Sequence, residues 1–144
     1  MEKSKKSIAI ITARGGSKRI KNKNIINFYG KPIISYSILA AKKSKLFDEI
    51  YICTDSKKIK KVSTRYGAKF ISYRLKKLSD DHTGTYDVIK NFIKKNKIRS
   101  KYICCIYPTA PLMQPTDLKK GLNLLKKNQD QYIYSANTYK KKYM

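Results

Sequence analysis

A glycine-containing loop with dense positive charge follows the first apolar stretch of the sequence. Residues 13–24 read ARGGSKRIKNKN, so Gly15 and Gly16 stand between Arg14 and a basic run that ends near Lys23. Glycines let backbone N–H groups turn inward and approach phosphate oxygens with no side chain between them. Arg14 and Lys23 would then neutralise oxygens from either side. The loop therefore predicts a polyphosphate site; the alternative is an ordinary surface turn.

Apolar runs and helical patterns alternate along the chain around this loop. Such alternation predicts βαβ units and an α/β fold, in which helices cover both faces of a mostly parallel sheet. The run at 101–107 is apolar at both alternating sets of positions, which is typical of a central parallel strand. The expected strands are 7–13, 48–54, 68–73, 101–107 and 131–137, and the expected helices are 30–44, 56–67, 83–96 and 114–128.

The predicted topology gathers distant segments at one edge of the sheet. In open parallel sheets, ligands bind beyond the carboxyl ends of the strands. Four segments with unusual composition fall there: 14–24, 54–56, 74–85 and 108–115. We therefore expect them to share one site, although they are far apart in the sequence.

The formal net charge of +25 would ordinarily suggest a nucleic-acid partner. The chain has 29 lysines but only 5 arginines, whereas specific base and phosphate recognition favours the arginine fork. The abundance of lysine, isoleucine, asparagine and tyrosine also fits an AT-rich coding sequence. A basic nucleic-acid-binding module stays open as an alternative, and the positive field would equally attract a small anionic substrate.

The cysteines and the N-terminus bear on the compartment. Cys53, Cys104 and Cys105 lie within apolar runs, and an odd number of cysteines so placed predicts buried, reduced thiols in a cytoplasmic protein. Their spacing is not that of metal ligands. The N-terminal apolar run is about seven residues long, which is short for a signal peptide and better suited to a first strand.

The segment IAIITARGGSKRIKNKNIINFYGKPIISYSI resembles the opening of the acylneuraminate cytidylyltransferases, the CMP-sugar synthetases. The resemblance extends over about residues 7–137. The segments LSDDHTGTYDVIKNFI and CCIYPTAPLMQPTDLKKGLNLL resemble the pseudaminic acid branch in particular, and Tyr107 stands where sialic acid enzymes more often carry glutamine. The resemblance implies a three-layer α/β/α Rossmann-like nucleotidyltransferase fold that is incomplete at its C-terminus.

The resemblance also implies a reaction and its partners. Members of the family transfer CMP from CTP to a nine-carbon sugar acid and release pyrophosphate with the help of Mg²⁺. Pseudaminic acid is the expected acceptor, with sialic or legionaminic acid as alternatives; a further alternative is an inactive remnant that only binds nucleotide. Residues 1–144 would be one nucleotide-binding domain, the N-terminal part of a longer, homodimeric enzyme without nucleic-acid or membrane partners. The family's carboxylate pair for Mg²⁺ has no matching segment here, so we name no metal ligands.

Site residues follow by matching motifs within the resemblance. The expected catalytic residues, which would stabilise charge on the phosphates, are Arg14 and Lys23. Lys18 and Arg19 are either solvated or in contact with phosphate. Asp80 and Asp81 could hold a metal, but helix-start electrostatics explain them more simply. The expected nucleotide-binding residues are Arg14, Gly15, Gly16, Ser17, Lys23, Asn24, Arg74 and Thr85, and the candidates for sugar binding are His82 and Tyr107.

Overall fold

The computed structural model describes residues 5–128 and 132–136. The longest described helix has 13 residues, and none of the described helices is long and apolar enough to cross a bilayer. The strands are β1 (Lys5–Thr12), β2 (Asn27–Phe28), β3 (Lys31–Pro32), β4 (Glu49–Cys53) and β5 (Ser100–Ile106), and the helices are α1 (Ile33–Ser44), α2 (Lys57–Arg65), α3 (Thr85–Lys95) and α4 (Pro115–Lys127).

The main sheet is parallel and is built around β1. Its order is β4-β1-β5, and Ile10 lies opposite Tyr51 on β4 and Cys105 on β5. On the far edge of β4, Lys69 makes one parallel bridge to Tyr51. The chain therefore runs outward from β1 through β4 to Lys69 and then returns to the other side of β1. This reversal creates a topological switch point between β1 and β5, the usual ligand position in open α/β sheets.

Helices cover both faces of this sheet, which confirms the predicted three-layer α/β/α arrangement. Short apolar strands with few polar residues suit a sheet that is buried on both sides. One core cluster joins alternate residues of β1 and β4 to α1, α2 and α4, and the other joins the intervening residues to α3. The first cluster includes Ala9, Ile11, Ile34, Ile38, Ile52 and Ile59, and the second consists of Ile8, Ile10, Tyr51, Cys53, Val88 and Phe92.

Two predicted strands are absent or reduced in the described residues. The expected strand 68–73 shrinks to the single bridge at Lys69. In the expected strand 131–137, residues 132–136 are exposed and form no strand, while its two end residues lie outside the described part. β-propensity alone cannot make a strand, because each strand needs a hydrogen-bonded neighbour and a packed face.

The predicted central position of strand 101–107 is also wrong for the described sheet. β5 is an edge strand, because in the described residues it pairs with β1 alone. The core cluster under α3 contains residues of β1 and β4 but none of β5. Ile103 is consequently 39% exposed, and Cys105 is exposed rather than buried. Cys53 is buried as predicted, and all three thiols are free.

The sequence pattern also did not predict a short hairpin or the residues that cap α3 and α4. β2 and β3 pair antiparallel, and positive φ angles at Tyr29 (46°) and Gly30 (80°) close the turn between them, as a two-residue hairpin loop requires. The N-cap of α3 is Gly84. The N-cap of α4 is Gln114, which forms a capping box with Asp117.

We predict that Ile10→Ala will lower the free energy of unfolding by about 2–5 kcal/mol, because it leaves a cavity in the centre of the sheet. Ile10 is 0% exposed. Ile71→Ala is the matched control, because Ile71 is 42% exposed and its truncation should change stability by only about 0.5 kcal/mol. Urea denaturation of both variants measures the difference; equal losses would contradict the described core.

Candidate functional site

The loop that follows β1 is tied by its backbone to the end of β4. The Ala13 N–H donates to the carbonyl oxygen of Cys53 at 3.0 Å, and the Gly15 N–H donates to Oδ1 of Asp55 at 2.7 Å. The N-cap of α2 is Ser56, whose side chain accepts from the Ile59 N–H. Asp55 is thereby left to join the two loops at the carboxyl end of the sheet.

Gly15 and Gly16 differ in what surrounds them. Among the described residues, positive-φ glycines are confined to Gly30 and Gly67, so neither loop glycine is required for a left-handed backbone. A Cβ built on Gly15 would lie 3.0 Å from Cβ of Ser56, whereas one on Gly16 would meet nothing within 4 Å. Gly15 is therefore needed for close approach of the two loops, and Gly16 borders open space.

We call the carboxyl edge of the sheet the rim, and the four segments expected there the rim segments. A carboxylate from the third of them, 74–85, contacts two cations of the loop. Oδ1 of Asp81 accepts from Nη2 of Arg14, and its Oδ2 lies 2.7 Å from Nζ of Lys18. Hydrogen bonds from Lys18 and Arg14 lower the pKa of the Asp81 carboxyl to about 2. In this structure Asp81 is thus the counter-ion of the basic loop, and it lies before Gly84, the N-cap of α3.

The remaining loop residues are held in different ways. Asn24 is buried, and its Nδ2 donates to the carbonyl oxygen of Arg14 at 2.9 Å, which fixes the backbone next to Gly15. The Ser17 N–H donates to the carbonyl oxygen of Gly15 at 3.0 Å. Lys23 is exposed and begins the short 3₁₀ helix Lys23–Ile25. The roles of these residues as nucleotide ligands stay predictions.

Arg74 lies at the same edge of the sheet. Its backbone N–H donates to the carbonyl oxygen of Thr54 at 2.8 Å, directly after β4. Its guanidinium donates through Nε to the carbonyl oxygen of Leu78 at 2.7 Å. Partial burial lowers the pKa of Arg74, and the neighbouring Asp55 carboxylate acts in the opposite sense. Arg74 therefore stands near the loop after β1, as the topology predicted.

Thr85 and Tyr107 form a second contact between rim segments. The Thr85 hydroxyl and the Tyr107 hydroxyl are 3.3 Å apart, which links the start of α3 to the end of β5. The Tyr107 carbonyl oxygen accepts from the Ser37 hydroxyl at 2.8 Å, while the residue is 60% exposed. The arrangement holds the Tyr107 backbone in place and leaves its ring accessible.

Asp80 closes a backbone turn, and its carboxylate contacts different groups from that of Asp81. Its Oδ1 accepts from the N–H groups of His82 at 3.0 Å and Thr83 at 2.7 Å, and also from the Thr83 hydroxyl. His82 is exposed beside Asp81. Within residues 5–128 and 132–136, no group of three or more His, Cys, Asp or Glu side chains could hold a metal ion, so these residues do not form a protein cage for Mg²⁺.

The structure therefore places the expected residues of all four rim segments at one edge of the sheet. Their contacts form two clusters, one around Arg14 and one around the Thr85–Tyr107 pair. Local sequence patterns did not predict the contacts of Asp55 and Asp81 with the loop, because 40 and 67 residues separate the partners. The available signal was topological: both acids lie in segments already assigned to the rim.

A family model described as "Cytidylyltransferase" matches residues 8–142. This chain belongs to the cytidylyltransferase family. The pseudaminic acid cytidylyltransferase of Campylobacter jejuni is 43% identical over 138 residues, which cover 93% of this chain and 59% of that relative. The N-acylneuraminate cytidylyltransferase A of Danio rerio is 35% identical over 134 residues, covering 93% of this chain and 31% of that protein. The chain thus spans less than two thirds of the length of these relatives.

A solved structure supports the cytidylyltransferase fold. CMP:2-keto-3-deoxy-manno-octonic acid synthetase in complex with CTP matches with a TM-score of 0.74 and 22% identity, over 87% of this chain and 49% of the other. At this identity the likeness concerns the fold. It agrees with the parallel sheet and the helices on its two faces.

We predict that Gly15→Ala will lower the free energy of unfolding by about 1–3 kcal/mol, because the added methyl group overpacks the contact with Ser56. Gly16→Ala is the control; it makes the same chemical change in open space and should be nearly neutral. Urea denaturation compares the two variants. Equal stability of both would show that the loop does not depend on the Gly15 contact.

We also predict that Asp81 will titrate near pH 2, well below its usual value of 3.8. Because the pKa is lowered in the folded state, the stabilisation by its ion pairs is fully present above pH 3.8 and is lost as the pH falls through about 2. NMR titration of the Asp81 carboxyl carbon measures this midpoint. In Lys18→Gln it should move upward, and an unchanged midpoint would contradict the pairing with Lys18.

Proposed function

We propose that this chain carries the nucleotide-binding part of an enzyme that transfers CMP from CTP to a nonulosonic acid. Its family and its similarity to pseudaminic acid cytidylyltransferase support the proposal. The single observation that carries it is the position of loop 13–24 at the switch point of a parallel sheet, where nucleotides bind in open α/β folds. Pseudaminic acid is the proposed acceptor, with sialic or legionaminic acid as alternatives.

In the proposed reaction, a hydroxyl oxygen of the sugar acid attacks the α-phosphorus of CTP. A new P–O bond forms while the bond to the leaving pyrophosphate breaks in line with it. Catalysis of such a transfer depends mainly on positioning and on stabilising charge at the phosphates. We assign the stabilisation of charge on the α-phosphate and on pyrophosphate to Arg14 and Lys23.

The other residues of the loop would position the triphosphate. Gly16 borders open space, which leaves room for an oxygen close to the backbone. We assign the cradle to the backbone of Gly15 and Gly16 together with Ser17. Asn24 supports the Arg14 backbone, so its contribution to nucleotide binding would be made partly through the loop itself.

The second cluster would bind the cytidine and the sugar acid. Arg74 and Thr85 are assigned to the nucleotide, and Tyr107 and His82 to the sugar. The Thr85–Tyr107 contact supports this division, because it sets a nucleotide residue and a sugar residue side by side at the end of β5. The reacting oxygen and phosphorus would then meet between the two clusters.

The remaining assignments concern the longer enzyme. We propose that residues 1–144 form one nucleotide-binding domain and correspond to the N-terminal part of a longer, homodimeric, cytoplasmic protein without nucleic-acid or membrane partners. The alignment covers 59% of the Campylobacter jejuni relative, which supports a longer enzyme. The use of Mg²⁺ is proposed from the family, and the described residues lack a cage for it, so none of the roles assigned above includes a metal.

The test is the release of pyrophosphate from CTP in the presence of each candidate acid. Arg14→Ala should lower kcat/KM by about 10²–10³-fold, the usual effect of removing one donor that stabilises the transition state. Arg99→Ala is the matched control, because Arg99 is exposed just before β5, at the amino-terminal end of the strand. We expect its effect to stay within about two-fold.

Binding measurements separate the alternatives. A CTP-dependent rise in Tm without pyrophosphate release from any acid would indicate an inactive remnant. No effect of CTP on Tm, together with duplex DNA binding that weakens steeply with salt, would indicate a nucleic-acid-binding module instead. Equal effects of Arg14→Ala and Arg99→Ala would remove loop 13–24 from the site.

A further inference from the structure

We propose that Asp81 occupies a phosphate subsite made by Arg14 and Lys18, and that a polyphosphate displaces it on binding. The inference deepens the proposed function and rests on it in one respect, since it takes the phosphates of a nucleotide as the natural ligand. It also assigns Lys18, for which the sequence left a solvated loop and a phosphate contact equally open, to phosphate binding.

The geometry of Asp81 is that of a bridging anion. One carboxylate oxygen accepts from Nη2 of Arg14, and the other lies 2.7 Å from Nζ of Lys18. Guanidinium and ammonium groups bind carboxylates and phosphates through the same charge-assisted hydrogen bonds. The two cations that hold Asp81 are therefore already spaced to hold two oxygens of one anion.

A second carboxylate supports this interpretation of the loop. Oδ1 of Asp55 accepts from the Gly15 N–H at 2.7 Å, so a backbone donor next to Arg14 also holds a carboxylate oxygen. Asp55 and Asp81 come from different rim segments and meet the loop separately. Acidic oxygens from two segments thus contact donors that a polyphosphate would use, while the space beside Gly16 stays open.

Asp81 can leave without breaking the structure that carries it. The turn before α3 is closed by Asp80, which accepts from the backbone of His82 and Thr83. The side chains of Lys18, Asp81 and Arg14 are 83%, 33% and 29% exposed, so solvent reaches each of the groups that would exchange the anion. Exposed ion pairs usually change an equilibrium by about five-fold or less, which a multiply charged anion can overcome.

The test measures inorganic pyrophosphate binding to Asp81→Asn by calorimetry at 0.15 M salt. Asparagine keeps the shape of the side chain but removes the competing charge, so pyrophosphate should bind about two- to five-fold tighter than to the wild type. Glu49→Gln is the matched control. It makes the same change in net charge and also removes a carboxylate that contacts a lysine, Lys69 at 2.9 Å, but it does so at the first residue of β4, away from the rim.

Lys18→Gln provides a second, independent arm. It should weaken pyrophosphate binding, because Lys18 is one of the two cations of the subsite. The gain from Asp81→Asn should also shrink in the Lys18→Gln background, because Asp81 occupies the same subsite that Lys18 helps to form. A double-mutant cycle measures this coupling. Thermal unfolding of each variant checks that the fold is retained, and either arm alone can overturn the proposal.

His82, the single histidine of the chain, reports the displacement directly. It follows Asp81 in the sequence, so its imidazole proton signals should shift when pyrophosphate is added at constant pH. In Asp81→Asn the free protein should already show signals close to those of the bound wild type. A His82 spectrum that pyrophosphate leaves unchanged would mean that the segment does not respond, and would overturn the proposal.

The remaining outcomes test the phosphate subsite and the proposed function separately. Pyrophosphate binding that tightens in Asp81→Asn and not in Glu49→Gln, with no binding of CTP, would support the subsite and refute the proposed function. Equal gains in pyrophosphate affinity in Asp81→Asn and Glu49→Gln would show that the effect comes from net charge alone, and would overturn the subsite. No pyrophosphate binding to wild type or variants would overturn it as well.

Discussion

Pairing of β1 along both of its edges is the constraint on which the rest of the structure depends. The strand is hydrogen-bonded to β4 on one side and to β5 on the other, and Ile8, Ile10 and Ile11 are 0% exposed. A strand held in this way delivers its carboxyl end to a fixed point. Loop 13–24 therefore starts from a buried strand that is paired on both edges, although the loop itself is polar and largely exposed.

Acidic residues are more prominent at this edge of the sheet than the basic composition of the chain suggests. The protein has 34 basic and only 9 acidic residues, yet two of those acids, Asp55 and Asp81, contact the loop after β1. Scattered lysines raise the general attraction for anions, whereas paired carboxylates hold particular donors in place. The site is thus organised by its few acids as much as by its many bases.

The sequence predicted the parts of the fold that follow from local pattern and topology. Alternating strands and helices gave the three-layer arrangement, and the rim rule brought Arg14, Arg74 and Thr85 to one edge. Local sequence pattern did not predict the features that depend on a partner distant in the sequence. The run at 101–107 is apolar enough for a central strand, but in the described sheet β5 pairs with β1 alone. The pairing of Asp81 with Arg14 spans 67 residues and leaves no mark in local spacing.

The close contact between Gly15 and Ser56 also limits how this site could diverge. The two loops touch near the backbone, with only 3.0 Å available to an added Cβ, so side-chain substitutions there have almost no room to act. Tyr107 and His82 are exposed and can change without repacking the core. Substitutions at this edge of the sheet are therefore better tolerated in the exposed side chains after Lys69 and β5 than at Gly15, where the two loops meet.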